Sequence, residues 1–251
     1  MSESVALVTG VSRVGQIAPA IVERLHAAGL TVAATGWPPH DDEMPWGAST
    51  VELPDGVVLD RDDMGDPDVP AAVVERVIER YGRLDVIVAT HARSSDGTLD
   101  EIDASELDRC WSVNVRSVVL LAQAFARVHA PAGEGASPIG RMRWFTSGQH
   151  LGPMDGELAY AVSKGALHQM TASLDRALSA SRIVANCINP GPVDTGYADE
   201  ATVAHVAKMF PDGRWGRPDD IADLAEFLVS ERGAWIRGQV LDTEGGFSRF
   251  G

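Results

Sequence analysis

Short apolar runs recur along this chain, at residues 5–9, 31–35, 57–59, 84–89, 142–146, 183–188 and 239–241, and helix-length stretches separate most of them. The runs are rich in β-branched residues, whereas segments such as 17–28, 69–81 and 160–178 carry apolar residues at helical spacing. Strands that are apolar throughout must be covered on both faces. The alternation therefore predicts an α/β fold, a doubly wound parallel sheet with helices on both sides. With 251 residues, the chain is read as one domain, 1–251.

Three stretches break the rhythm: 36–56, rich in Pro and Asp; the Pro/Gly/Ala connector 129–138; and 191–216, which holds Pro192, Gly196, Pro211 and Gly213. The last leaves the carboxyl end of a strand beside the expected ligand crevice, where such sheets place a substrate lid. The apolar runs are too short and too interrupted to span a bilayer, and no secretion signal is evident, so a cytoplasmic location is expected. Cys110 and Cys187 sit in apolar segments and are read as buried thiols, with no metal site. A formal charge of −15 argues against nucleic acid and membrane surfaces as partners. An anionic ligand would need positive potential gathered locally, at a helix N-terminus and a few arginines.

Thr9-Gly10-Val11-Ser12-Arg13-Val14-Gly15 closes the first strand and opens the first helix, where a pyrophosphate meets backbone N–H groups and the positive end of the helix dipole. Two glycines there also suit an ordinary tight turn, and the next glycine positions of the dinucleotide fingerprint are Gln16 and Ala18. Tyr160 and Lys164 carry a stronger signal. Residues four apart share a helix face, and with so few Tyr and Lys in the chain this spacing arises by chance in only about 2% of cases. Ser147 precedes them at the carboxyl end of the 142–146 strand. A carbonyl that accepts hydride develops alkoxide charge and needs a proton donor and a second hydrogen bond. A tyrosine beside a cation, with a serine holding the substrate oxygen, supplies both.

The chain resembles the short-chain dehydrogenase/reductase family, of Rossmann type, over essentially its full length. The likeness rests on the Thr-Gly opening, the Asn114 segment, Ser147, the Tyr160/Lys164 pair, Asn189-Pro190-Gly191-Pro192-Val193-Asp194-Thr195 and Glu244-Gly245-Gly246. It looks closest to the 3-oxoacyl-(acyl carrier protein) reductase-like branch, through Met44-Pro45-Trp46-Gly47 and the residues around Ser147. The resemblance implies hydride transfer between a nicotinamide dinucleotide and a carbonyl or secondary alcohol, a 3-oxoacyl thioester among them. Tyr160 would be the general acid/base, Ser147 would polarise the substrate oxygen, Lys164 would also hold the nicotinamide ribose, and Asn114 would position a relay water. The cofactor would meet Gly10, Ser12, Arg13, Gln16, Ile17 and Ala89. Asp60 would contact the adenine, and Pro190, Gly191, Val193 and Thr195 would line the nicotinamide side.

NADP is expected over NAD, because the second strand ends Thr35-Gly36-Trp37 without a carboxylate and Arg13 is placed to reach a 2′-phosphate. Asp41 and Asp42 complicate this if the 36–56 loop folds back. Ala89-Thr90-His91-Ala92 stands where the family has Asn-Asn-Ala-Gly, and for His91 and His150 both a structural role and a place at the site mouth stay open. A homotetramer or homodimer is implied, with segments 107–128 and 160–178 paired across subunits through Leu120, Leu121, Phe125, Leu167 and Leu174. The altered glycine loop leaves one alternative, a catalytically weak nucleotide-binding sensor or scaffold of the same fold. A cofactor-free dehalogenase relative is disfavoured, since it carries arginine where Lys164 stands.

Overall fold

The computed structural model describes residues 4–129 and 139–249; the expected connector 129–138 lies, apart from His129, outside them. Seven strands form one sheet: β1 Val5–Thr9, β2 Thr31–Gly36, β3 Val58–Arg61, β4 Val86–Ala89, β5 Gly140–Phe145, β6 Ile183–Asn189 and β7 Val240–Asp242. Their order is β3-β2-β1-β4-β5-β6-β7 and every pairing is parallel. This is the doubly wound sheet the alternation predicts. The helices are α1 Ile17–Ala27, α2 Pro38–Glu43, α3 Val69–Tyr81, α4 Ala104–Cys110, α5 Ser117–Val128, α6 Leu158–Leu178, α7 Glu200–Ala207 and α8 Pro218–Val229. A π-helical turn, Trp111–Arg116, joins α4 to α5.

Strand alternation divides the core in two. Ala6, Val8, Val86 and Val88 face α1 and α8, meeting Ile21, Leu25, Ile221 and Leu228. Leu7, Ile87, Met142 and Trp144 face α3, α5 and α6, meeting Val74, Leu121, Phe125 and Leu167. Leu121, Phe125 and Leu167 are thus spent inside the chain's own core, contrary to the expectation that they pair across subunits. The large apolar side chains left exposed on α4, the π turn, α5 and α6 are Leu107, Trp111, Val119 and Val162.

Two further connections frame the ligand crevice. The 191–216 segment is pinned at its ends, where Val193 bridges Gly216, Asp194 N–H donates to Gly216 O (2.9 Å) and Gly216 N–H to Pro192 O (3.0 Å). Residues 247–249 fold back beside it. Phe247 stacks on Phe210 at 5.0 Å, Ser248 N–H donates to Met209 O (2.9 Å), and Arg249 pairs with Glu244 while lying against Gly148.

Candidate active site

The chain crosses from β3 to β4 past the β1–β2 pair, so the helices that follow β1 and β4 diverge and open a crevice at the carboxyl ends of the strands. A cleft of about 520 Å³ lies there, walled by Gly10, Ser12 and Gln16 after β1, Trp37 after β2, Thr90–Arg93 after β4, Thr146 after β5, and Tyr160 and Lys164 on α6. Gly10 has φ +80° and backs onto β4, where an added Cβ would sit 2.6 Å from His91 N. Such closeness admits only glycine. No side chain caps the first turn of α1, and Gln16, Ile17 and Ala18 all line the cleft, so the positive end of an 11-residue helix opens on it. Gln16 does not obstruct this opening in the way a blocking side chain would; it folds back so that Oε1 accepts Arg13 N–H (3.2 Å). Ala18 is turned largely into the core beside Ile21 and Val22. The residues present fit a pyrophosphate despite the two missing glycines.

At the other end, β5 and α6 are clasped together: Lys164 Nζ donates to Phe145 O (2.8 Å) and Thr146 Oγ1 donates to Lys164 O (2.8 Å). This brings Ser147, just beyond β5, beside the Tyr160 hydroxyl, close enough to act on its ionisation. Burial and the neighbouring Glu157 push the Tyr160 phenol above its ordinary range, and Ser147 opposes them. The Lys164 ammonium lies 5.4 Å from the Tyr160 ring centroid, and burial lowers its pKa to about 8. Asn114, fully buried on the π turn, accepts Arg93 N–H (2.7 Å) and donates to Arg93 O (3.1 Å) and Ser163 Oγ (2.9 Å). Ser163 in turn donates to Tyr160 O (2.7 Å). Asn114 is thereby bonded to the loop after β4 and, through Ser163, to the backbone carrying Tyr160.

Residues 10–248 match the family model described as enoyl-(acyl carrier protein) reductase. An uncharacterized oxidoreductase of Bacillus subtilis, YjdA, is 35% identical over 98% of both chains. The chain is a short-chain dehydrogenase/reductase. Among solved structures, a short-chain dehydrogenase/reductase from Serratia marcescens superposes with a TM-score of 0.81 at 29% identity over 98% of each chain. A short-chain dehydrogenase from Burkholderia cenocepacia, in complex with NADP, reaches 0.80 at 30% over the same coverage. A blue fluorescent protein from a metagenomic library, in complex with NADPH, reaches 0.79 at 30% over 98% of each chain.

Several expected cofactor contacts of this short-chain dehydrogenase/reductase lie elsewhere. Asp60 is outside the cleft wall, held by Arg76 (3.1 Å) and Arg80 (3.1 Å), which stand one helical turn apart on α3. Asp62, Asp63 and Met64, past the end of β3, line the cleft instead. Arg13 is 8% exposed and engaged with Asp41 and Trp46. Ala89 is buried in β4 opposite Thr9, and Val193 is buried at the bridge to Gly216, whereas Pro190 and Thr195 reach the cleft. Gly191, at φ +64°, is pressed against Glu244, and its N–H donates to Asn189 Oδ1 (3.1 Å). Asn189 Nδ2 donates in turn to Asp242 (2.8 Å) and Glu244 (2.9 Å), a brace the motif contains but its spacing does not reveal.

Both histidines are accounted for. His91 belongs to the cleft wall, with Nδ1 bonded to Thr9 Oγ1 (2.5 Å) and Nε2 to Ser117 Oγ (2.7 Å); burial and Lys164 lower its pKa to about 3. His150 turns to the β7 side, 3.1 Å from Asp242 and 4.5 Å from the His168 ring. The wall residues Trp37, His40, Asp41 and Trp46 come from the irregular 36–56 stretch, whose length and composition mark it as special without indicating where it folds.

Proposed function

We propose that this enzyme transfers a hydride between NADP(H) and a carbonyl or secondary alcohol, with Tyr160 as proton donor and acceptor. The observation that carries the reading is the meeting of Tyr160 and Lys164, with Ser147 beside the phenol, at one end of a cleft whose other end is a helix N-terminus. A bound dinucleotide would lie along that cleft, its pyrophosphate at Gly10–Ile17 and its nicotinamide beside Tyr160, Lys164, Pro190 and Thr195, and would supply the hydride. Ser147 and Tyr160 both present hydroxyls to the substrate oxygen, so charge developing there meets two donors already in place. Tyr160 delivers the proton. Burial favours the neutral phenol, the form required to protonate an alkoxide. Lys164, fixed by Phe145 O and lying over the phenol ring, stabilises the phenolate left behind. Asn114 is a positioning residue, holding the Tyr160 turn through Ser163.

NADP(H) is favoured over NAD(H) because β2 ends in Gly36-Trp37 without a carboxylate, Arg13 is the cation set against the cleft-wall residues Asp41 and Trp46, and the Burkholderia and metagenomic relatives are described with NADP and NADPH. The segment 191–216, pinned at both ends and lying next to Tyr160, acts as the substrate lid of a single 1–251 domain. The family description and the sequence resemblance both point to acyl-carrier chemistry, so a 3-oxoacyl thioester heads the list of carbonyls to assay. The exposed stripe Leu107, Trp111, Val119 and Val162 serves as the contact between subunits of a dimer or tetramer.

The test is oxidation of NADPH and NADH against a carbonyl panel in the parent and in Tyr160→Phe. The variant is expected to bind dinucleotide like the parent and to lose about 10²–10⁴-fold in turnover, as removal of a general acid does. Parent-like turnover by Tyr160→Phe would remove the phenol from its role.

A further inference from the structure

The adenosine end of the cleft carries an arrangement that the enzyme's reaction does not require. Arg13 and Asp41 are both buried, at 8% and 2% exposure, and face one another with Arg13 Nε 3.9 Å from Asp41 Oδ1. That distance is an ion pair but not a hydrogen bond. Trp46 completes the group: its indole N–H donates to Asp41 Oδ1 (2.9 Å), and the Arg13 guanidinium stands 5.6 Å from its ring centroid. Arg13 Nε and Asp41 Oδ2 are each buried without a hydrogen-bond partner, as is Nδ1 of the adjacent His40. Buried polar groups are rarely left so, and three together beside a ligand cleft mark capacity kept for something that binds there. Burial pulls the Arg13 pKa down and Asp41 pulls it up, so the carboxylate offsets part of the cost of burying the guanidinium.

The remaining cations of this wall are committed. Arg93 makes a two-pronged pair with Glu106 (2.8 and 3.1 Å) and a further pair with Glu43 (3.1 Å), and Arg109 also pairs with Glu106 (3.3 Å). Asp41, Glu43, Asp62 and Asp63 line the same wall. A 2′-phosphate entering beside the end of β2 would find Arg13 as its natural partner and Asp41 already holding it.

We infer that Asp41 tunes coenzyme choice, competing with the 2′-phosphate for Arg13 and thereby weakening NADP(H) relative to NAD(H). The inference rests on the dinucleotide reading above for the location of the adenosine. It does not depend on which coenzyme the parent prefers. An orphan carboxylate oxygen also accepts hydrogen bonds from ribose hydroxyls, which a 2′-phosphate removes, so both effects act in one direction.

Dissociation constants by calorimetry, for the half-ligands 2′,5′-ADP and 5′-ADP and for NADP⁺ and NAD⁺, test this without turnover. Asp41→Asn keeps an acceptor for the Trp46 indole and removes the charge. It is expected to raise the affinity ratio of 2′,5′-ADP to 5′-ADP by about ten-fold or more, the worth of one charge-assisted hydrogen bond. Adding Arg13→Gln to Asp41→Asn should abolish the gain. Asp41→Ser, smaller and uncharged, gives the same readout should the amide unsettle α2. An unchanged or lowered ratio in the folded variants overturns the inference. A parent that binds NAD⁺ more tightly than NADP⁺ refutes the NADP(H) preference alone, and the variant-to-parent ratio still decides the role of Asp41.

Discussion

Lys164 gives the most quantitative test of how this site is built. Its ammonium is 2% exposed, has Phe145 O as a hydrogen-bond acceptor, and titrates near pH 8 against an ordinary 10.5. A base whose folded pKa is depressed binds fewer protons folded than unfolded between the two values. Its contribution to stability is therefore complete above pH 10.5, is lost as pH falls toward 8, and stays lost below. At about 1.4 kcal/mol per pKa unit, the ligand-free protein carries a penalty of about 3 kcal/mol at pH 7, most of it relieved by pH 10. Lys164→Met removes the titrating group and fills a similar volume. The difference in unfolding free energy between variant and parent should then shift by about 2 to 3 kcal/mol between pH 7 and pH 10, the parent gaining. Urea unfolding of both proteins at the two pH values measures this, and taking the difference cancels the other titrations. Parallel stability profiles would show that Lys164 is solvated and that the clasp between β5 and α6 does not desolvate it.

His91 gives the acid-side counterpart. With its pKa depressed to about 3 from 6.5, its contribution is complete above pH 6.5 and lost as pH falls toward 3, so His91→Gln should remove about 3 kcal/mol of acid sensitivity between pH 7 and pH 4, read by urea unfolding. Asn189→Ala leaves the Gly191 N–H without its acceptor and takes one donor each from Asp242 and Glu244, and should cost about 2 kcal/mol of stability; a variant with a parent-like urea midpoint would show that the brace contributes nothing. Light scattering at micromolar concentration should report a dimer or tetramer, reduced toward monomer by Val162→Glu combined with Trp111→Glu. A monomeric parent refutes the subunit contact.

The sheet was legible because its signal is local. Four uninterrupted apolar residues from Val5 to Val8 leave few alternatives to a buried strand, and α3 begins at Val69 and ends at Tyr81 as the periodicity requires. The Tyr160/Lys164 pair was legible for the same reason, since helix geometry fixes what residues four apart share. Contacts set by tertiary packing were not. Asp60 follows α3 because Arg76 and Arg80 lie under it, a fact no strand pattern encodes. Arg13 is taken by Asp41 because α2 forms inside a stretch that reads only as Pro- and Asp-rich loop. Arg141 and Arg143, 1% and 0% exposed within β5, break the expectation that a central strand is wholly apolar; Arg143 donates to Met142 O (2.7 Å), Val184 O (2.8 Å) and Leu228 O, using backbone carbonyls where a carboxylate would be sought.

The fold-back of residues 247–249 bears on how the enzyme is handled. Arg249 lies against the residue that follows Ser147, and Phe247 and Ser248 hold the Met209–Phe210 end of the 191–216 segment. An affinity tag or reporter fused immediately after this stretch, or an exopeptidase that trims into it, therefore acts on the wall around Ser147 and on the 191–216 segment together. Michaelis constants measured on such material would describe the appendage as much as the enzyme, whereas a tag placed before β1 enters the fold at the opposite, amino-terminal edge of the sheet and leaves that wall as the sequence built it.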